Sequence, residues 1–313
     1  MRNSPHDRFF HFAFSHRSLY IDFFDQLVPK KFRDLLLIES IEPVEGTFLN
    51  KRLQRFFSDK LFSAKLKTGG RVTLACLVEH KSFVPPFIYH QLEQYVVAKR
   101  EHDRKNKKPL SATIPIVIYH GKEKWKKKPP FAYYGGLPKE LRRFVNAPDY
   151  ILIDVTKFSK KKIMSLRRGY LVNTLLAMKY SHRPSLLDRN YGDIFIFGDF
   201  YETTEEGQAF FFGLLKYLFN LTNFDEQKIE KMIDTIPTSQ RKRAFNTFDR
   251  IRLEGKIEHA QEVATNLLVQ FPTWKDDMIA NISGLDIKKV KALRKKLADQ
   301  KKADNNGKAD NQK

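Results

Sequence analysis

Cysteine is almost absent from this chain: Cys76 stands alone among 313 residues. One cysteine closes no disulfide within the chain, so the fold does not depend on an oxidising compartment. Its place inside an alternating apolar stretch is explained by packing. Long apolar runs are missing as well. No eighteen consecutive apolar residues occur, which argues against a membrane-crossing helix. The opening MRNSPHDR leads into no apolar signal core, so the expectation is a soluble cytoplasmic protein with no membrane partner. Zinc-ligand spacings, a phosphate-cradling G-x-x-x-x-G-K-[ST] loop and a G-x-S-x-G nucleophile turn are absent too. The nine histidines are scattered, with no catalytic cluster visible among them. Acidic residues are the last scarcity: 36 Asp and Glu stand against 57 Lys and Arg, for a net charge of +21. Such an excess points to an anionic partner, either nucleic acid or an anionic membrane surface. The membrane is the weaker candidate, because no helix joins a strong basic face to an exposed aromatic-rich one.

Apolar residues make up 42% of the chain, enough for a real core, and the length suits one large domain or two smaller ones. The chemistry concentrates in residues 55–82, two alternating strands joined at Thr68-Gly69-Gly70. If that loop has three residues, Lys67 faces Arg71, and Asp59 falls directly opposite Glu79. Opposed residues of an antiparallel pair share a face with Cβ atoms about 5 Å apart. Lys81 shares that face because side chains alternate with period 2. A two-residue Gly69-Gly70 loop would instead set Asp59 against His80 and turn Glu79 away; the sequence leaves both registers open. Phe62, Ala64, Leu66, Val72, Leu74, Cys76 and Val78 form the apolar face of the hairpin. Two carboxylates and an ammonium suit metal-assisted phosphodiester hydrolysis. Mg²⁺ takes oxygen ligands, often one or two carboxylates with phosphate and water, and lowers the pKa of its bound water. A solvated charged hairpin face is the plain alternative, though like charges directly opposed destabilise a strand pair.

The spacing D-x(19)-E-x-K resembles the PD-(D/E)XK nuclease superfamily, and the chain as a whole resembles the Rpn family of recombination-promoting nucleases and transposases. The blocks that carry this resemblance are His6-Asp7-Arg8-Phe9-Phe10, Ser58-Asp59, Val78-Glu79-His80-Lys81-Ser82, and Ile114–Gly121 with Trp125 after it. They cover residues 4–125 well and the helical remainder more loosely. That family often has Gln where Lys81 stands. The resemblance implies an α/β fold, a restriction-endonuclease-like mixed sheet flanked by helices, with a mostly helical C-terminal region. It also implies DNA as the partner, with Asp59 and Glu79 as Mg²⁺ ligands and Lys81 as the third catalytic residue.

Along the chain, Ser4 before Pro5 predicts a helix over 5–14, with Asp7 favourably placed in its first turn. A second helix is expected over 21–28, a short strand at 47–49 and an amphipathic helix over 87–102. Residues 113–119 and 150–155 read as buried strands. Lys107 and Lys108, then Lys122, Lys124, Lys126, Lys127 and Lys128 around Trp125, form two basic loops suited to phosphates. Trp125 either stacks on a base or anchors its loop to the core. Helices follow over 163–180, 207–220, 225–236 and 239–270. The 207–220 segment is apolar nearly all round, hence buried or an oligomer face. The stretches 274–282 and 286–297, split by Ser283-Gly284-Leu285, resemble a helix-turn-helix with a basic second helix; a plain helical hairpin is the alternative. The polar tail 303–313 reads as disordered. The expected division is a nuclease-like domain at 1–200, a helical region at 201–300 and the tail. The function expected is Mg²⁺-dependent DNA cleavage promoting recombination; the alternative is a DNA-binding protein with a vestigial site.

Overall fold

The computed structural model describes residues 4–44, 59–79, 88–145, 148–167, 169–195, 204–221, 226–234 and 238–309. The chain divides into two compact units, 1–241 and 242–313.

The first unit is built on a five-stranded mixed sheet in the order β1 (Leu36–Val44), β2 (Asp59–Leu66), β3 (Arg71–Glu79), β4 (Ala112–Tyr119) and β5 (Ile151–Asp154). The first three strands pair with one another antiparallel, while β4 runs parallel to both β3 and β5. A parallel neighbour needs a long crossover, and the helix Ile88–Lys105 supplies it. The apolar run that predicts a central strand at 113–119 is β4, buried along its C-terminal half. Strand β1 was not expected. Its Pro43 interrupts the apolar pattern, yet as an edge strand it tolerates proline, and its ladder with β2 shifts between Leu37 and Glu42. The strand expected at 47–49 lies outside the described residues.

Helix Pro5–Ala13 begins as the sequence requires. The Ser4 hydroxyl accepts from the Asp7 amide at 3.1 Å, and the Asp7 carboxylate accepts from the Ser4 amide at 3.0 Å. This reciprocal cap gives Asp7 a structural role. The second helix runs Arg17–Gln26, four residues earlier at its start than expected. Its Tyr20 and Phe24 pack on Phe62, with ring centroids 4.9 and 5.2 Å away. Phe62, Ala64, Val72, Leu74 and Cys76 are buried on that side, as the alternation predicts. The other side of the sheet is covered too. Leu61 and Ala75 lie under Tyr95, while Val117 and Tyr119 lie against Ile88, Tyr89 and Leu92 of the crossover helix.

The hairpin register differs from both sequence expectations. Lys65 pairs with Arg71 and Asp59 with Leu77, so partner numbers sum to 136 rather than 138 or 139. The Leu66 amide donates to the Gly70 carbonyl at 3.0 Å, which leaves Lys67, Thr68 and Gly69 at the tip. Gly69 and Gly70 both take the left-handed conformation, at φ 94° and 81°, at no Cβ cost. The tip therefore closes one position earlier than expected. The direct opposition of Asp59 and Glu79 is corrected by this result. Their common face is retained, because a slip of two positions leaves every residue on its own side.

The helical remainder follows the expected order with altered ends. The 163–180 segment is two helices, Lys160–Met164 and Tyr170–Tyr180. In Glu205–Leu221 the side chains of Phe210, Phe211, Leu214, Leu215 and Leu218 are buried, so this apolar helix is core. It closes on the first helix where Phe9 stacks on Tyr217 at 4.1 Å and where Gly213 leaves room for the Phe12 ring. The last helix continues to Ala309, through part of the stretch whose composition reads as a disordered tail.

Candidate functional site

Asp59 opens β2 and Glu79 ends β3. In an antiparallel pair these two positions lie at the same end of the sheet. Asp59 opposes Leu77, so Glu79 is its diagonal neighbour on the same face, a separation of about 7–8 Å. Lys81 lies outside the described residues, as do the side chains of Asp59 and Glu79. The parallel strands continue the row, with Glu79 aligned to Tyr119 and Tyr119 to Asp154. The C-terminal ends of β3, β4 and β5 thus meet the start of β2 at one edge, where open α/β sheets commonly bind ligands. Two carboxylate positions thus share one face at this edge. Among the described residues no group of three or more His, Cys, Asp or Glu side chains is placed to hold a metal.

Asp154 is buried, and its Oδ1 accepts from the Thr156 amide at 3.1 Å and the Thr156 hydroxyl at 2.6 Å. Lys157 Nζ stands 3.4 Å from Oδ2. These bonds make Asp154 the cap of the turn that follows β5.

The basic loop after β4 is pinned at this edge. Trp125 is 2% exposed, and its indole N–H donates to the Tyr150 hydroxyl at 3.0 Å. The Tyr119 hydroxyl donates to the Glu123 carbonyl at 2.9 Å, and the Tyr89 hydroxyl to the Lys128 carbonyl at 2.7 Å. Burial, with Asp149 and Tyr133 adding to it, pushes the Tyr89 hydroxyl up to about 12. Burial raises Tyr150 as well, against the opposing hydrogen bond from Trp125. Trp125 is therefore the anchor of its loop, and the stacking alternative does not hold. Lys127 is engaged by the Tyr150 carbonyl at 2.6 Å and by Asp149 at 2.5 Å. Lys122, Lys124, Lys126 and Lys128 are exposed.

Lys107 and Lys108 are not brought to this edge. They precede Ala112, which aligns with Val72 beside the hairpin tip. The eight residues of β4 separate them from the carboxylate edge by about 25 Å at roughly 3.3 Å per residue. Sequence alone gave no direction for β4, and the parallel crossover decides it.

Three features escaped the sequence reading. His6, His120 and His182 come together, with ring centroids 5.0–5.3 Å apart. His6 Nδ1 lies 2.8 Å from the Tyr217 hydroxyl, and His120 Nδ1 lies 3.4 Å from the Ser181 hydroxyl. These rings, phenol and hydroxyl are groups able to hand a proton along. His120 directly follows β4, one position past Tyr119 and so on the other side of the sheet. The histidines are distant in sequence, but two of the blocks carrying the family resemblance each contain one. The second feature is a set of exposed aromatics between β4 and β5. Tyr134 is 60% and Phe144 66% exposed, with Arg142 over Phe131 and Arg143 over Phe144 at 4.5 and 4.9 Å. Tyr133 leans on Tyr89 in the first turn of the crossover helix. Third, Lys99 and Asp103 form a buried ion pair at the far end of that helix.

A family model described as "Putative transposase, YhgA-like" matches residues 4–190. Among curated proteins, the chain is similar to recombination-promoting nuclease RpnD of Escherichia coli O157:H7, 26% identical over 183 residues. That match covers 55% of this chain and 67% of the relative. Recombination-promoting nuclease RpnA of Escherichia coli strain K12 is 25% identical over 276 residues, 85% of this chain and 89% of the relative. The inactive recombination-promoting nuclease-like protein RpnE of strain K12 is 26% identical over 180 residues, 55% of this chain and 58% of the relative. No solved structure matches.

Proposed function

The chain belongs to the family described as "Putative transposase, YhgA-like", and on that premise we propose that it is a Mg²⁺-dependent DNA endonuclease that promotes recombination. Asp59 and Glu79 are the proposed metal ligands and Lys81 the third catalytic residue. The single observation behind this reading is the register that keeps positions 59 and 79 on one face at one edge. When bound there, Mg²⁺ supplies a water of lowered pKa and offsets charge on the phosphate. Lys81 would supply an ammonium able to hydrogen-bond the attacking water or the charge growing on the phosphate. Lys122, Lys124, Lys126 and Lys128 neutralise backbone phosphates beside the cut, a sequence-independent contribution. Lys107 and Lys108, at the other end of β4, contact DNA away from the cut. No helix of the described residues is long and apolar enough to cross a membrane.

The test is plasmid nicking in Mg²⁺, Ca²⁺ and EDTA by wild-type, Asp59→Ala and Glu79→Ala proteins. Cutting that requires Mg²⁺ and is lost in both variants is the expected result. Metal-dependent cutting that survives both substitutions removes the mechanism. The similarity to RpnE, named inactive, supports a second reading, a DNA-binding protein with a vestigial site. Salt-sensitive DNA binding with no nicking, unchanged by Asp59→Ala, would establish that reading instead.

A further inference from the structure

The second unit carries its own small core. Its last three helices are the end of Thr238–Gln270, then Asp276–Ser283, then Ile287–Ala309. Ala264, Leu268, Ile279, Leu285 and Val290 are buried together, with Trp274, Ala280, Leu293 and Leu297 packed against them. The last two helices are joined by a tight turn. Gly284 takes the left-handed conformation at φ 70°, and its amide donates to the Ala280 carbonyl at 2.9 Å. A side chain at that φ would be strained, so glycine is required. Asp286 starts the final helix by accepting from the Lys288 amide at 2.8 Å.

The spacing about Gly284 has a consistent meaning. Ile279 lies five positions before it, and Leu285, Val290 and Leu293 lie one, six and nine after. All four turn into the shared core, while Ala280, being small, lets the second helix approach. Arg294 fixes that helix further. Its guanidinium donates to Asp276 at 2.7 Å, to the Pro272 carbonyl at 2.7 Å and to the Trp274 carbonyl at 2.5 Å. Arg294 is therefore structural, and Asp276 is engaged by it.

The remaining cations of the final helix point elsewhere. Lys288, Lys291 and Lys295 fall at i, i+3 and i+7 and share one outward face. Lys289 and Lys296 flank it, and Ala292 sits in its middle. All six are exposed, and among the described residues none of the five lysines pairs with a carboxylate. A helix about 10–12 Å across matches a major groove about 12 Å wide.

We propose that the second unit is a helix-turn-helix that docks duplex DNA, with Ile287–Ala309 lying in the major groove. Lys288, Lys291 and Lys295 contact the flanking phosphates, and Ala292 allows close approach to the base edges. Lysines acting as point charges on phosphates make this docking strongly salt-dependent and weakly sequence-selective. The inference is independent of whether the first unit cuts.

The experiment measures binding of the full chain carrying Asp59→Ala, in EDTA, to a labelled 30-base-pair duplex across a salt series. The same chain with Lys288→Gln, Lys291→Gln and Lys295→Gln is compared, with circular dichroism to verify its helix content. Removing three phosphate contacts is expected to shrink the loss of affinity between 50 and 200 mM salt by about 40-fold, since each contact adds about 0.9 to the log–log slope. An unchanged slope overturns the proposal. So does a change in sedimentation behaviour with DNA binding intact, which would make this face a protein interface. Duplex RNA bound equally well through the same lysines would also overturn it, because the A-form major groove does not admit a helix.

Discussion

The Lys99–Asp103 pair offers a direct test of how the crossover helix is held. Asp103 is 2% and Lys99 9% exposed, so both charges have been taken out of water. The Lys99 ammonium donates to Asp103 and, at 2.9 Å, to the Ser111 hydroxyl. The Ser111 hydroxyl and amide donate in turn to the other carboxylate oxygen at 3.1 and 3.3 Å. The network ties the end of the crossover helix to the residue before β4. Asp103→Ala strands the ammonium and two Ser111 donors without their carboxylate, and breaking a buried pair this way costs about 3–5 kcal/mol. For a unit of this size each kcal/mol lowers Tm by about 2–4 °C, so a fall of roughly 6–20 °C is expected. Lys99→Met with Asp103→Leu should recover most of the loss, since apolar replacement of a buried pair is often near neutral. The pH dependence follows from the carboxyl's environment. Burial alone would raise its pKa, but the Lys99 and Ser111 bonds outweigh burial and hold it below the usual 3.8. A depressed folded pKa means stability that is present above the unfolded value and lost as pH falls through the folded one. Asp103→Ala should therefore be less sensitive than wild type to acidification below about pH 4. Thermal melts of both proteins at neutral and acid pH read both effects. A fall of under 2 °C on Asp103→Ala, with the acid sensitivity unchanged, would refute the reasoning.

Trp125→Ala removes a buried ring and should cost about 3–5 kcal/mol while leaving the salt slope of DNA binding unchanged; weaker binding at unchanged Tm would restore the stacking reading. His11 is pushed below its usual 6.5 first by burial and then by Lys60, against Asp7. Stability should thus decline as pH drops below 6.5, because the unfolded chain binds a proton that the folded one refuses. Urea midpoints at pH 7.5 and 5.5 should differ less for His11→Gln than for wild type, and equal differences would contradict this. At Gly213 a methyl group would fall within the Phe12 ring, so Gly213→Ala should destabilise by about 1–3 kcal/mol. Adding Phe12→Leu should return part of that in denaturant titration; no recovery would mean the clash lies elsewhere.

Much of the sheet was legible because local pattern and burial agree. The alternation from Phe62 to Cys76, the unbroken apolar run of β4 and the Ser4-Pro5 cap each name their own structure. Asp7 was legible as a cap for the same reason. The register was not, because it turns on which of two adjacent glycines stays at the tip, and both tolerate a left-handed φ. Strand β1 was missed because Pro43 and two glutamates break its alternation, which an edge strand tolerates. The division of the lysines could not be read either. Lys107 and Lys122 flank one strand and so lie at its opposite ends, and only the parallel direction of β4 decides that Lys122 is the one at the end of Glu79. Trp125 amid lysines suits stacking and anchoring equally by sequence, and the bond from its indole N–H to the Tyr150 hydroxyl decides for anchoring. The histidines gather through three separate elements, a proximity that no local pattern carries.

The central claim is that positions 59 and 79 share one cation. Titration with Mn²⁺ in place of Mg²⁺, followed by its paramagnetic resonance signal, tests it without requiring turnover. One bound ion per chain, lost in both Asp59→Ala and Glu79→Ala, is the predicted result. Undiminished binding in either single variant would contradict the account.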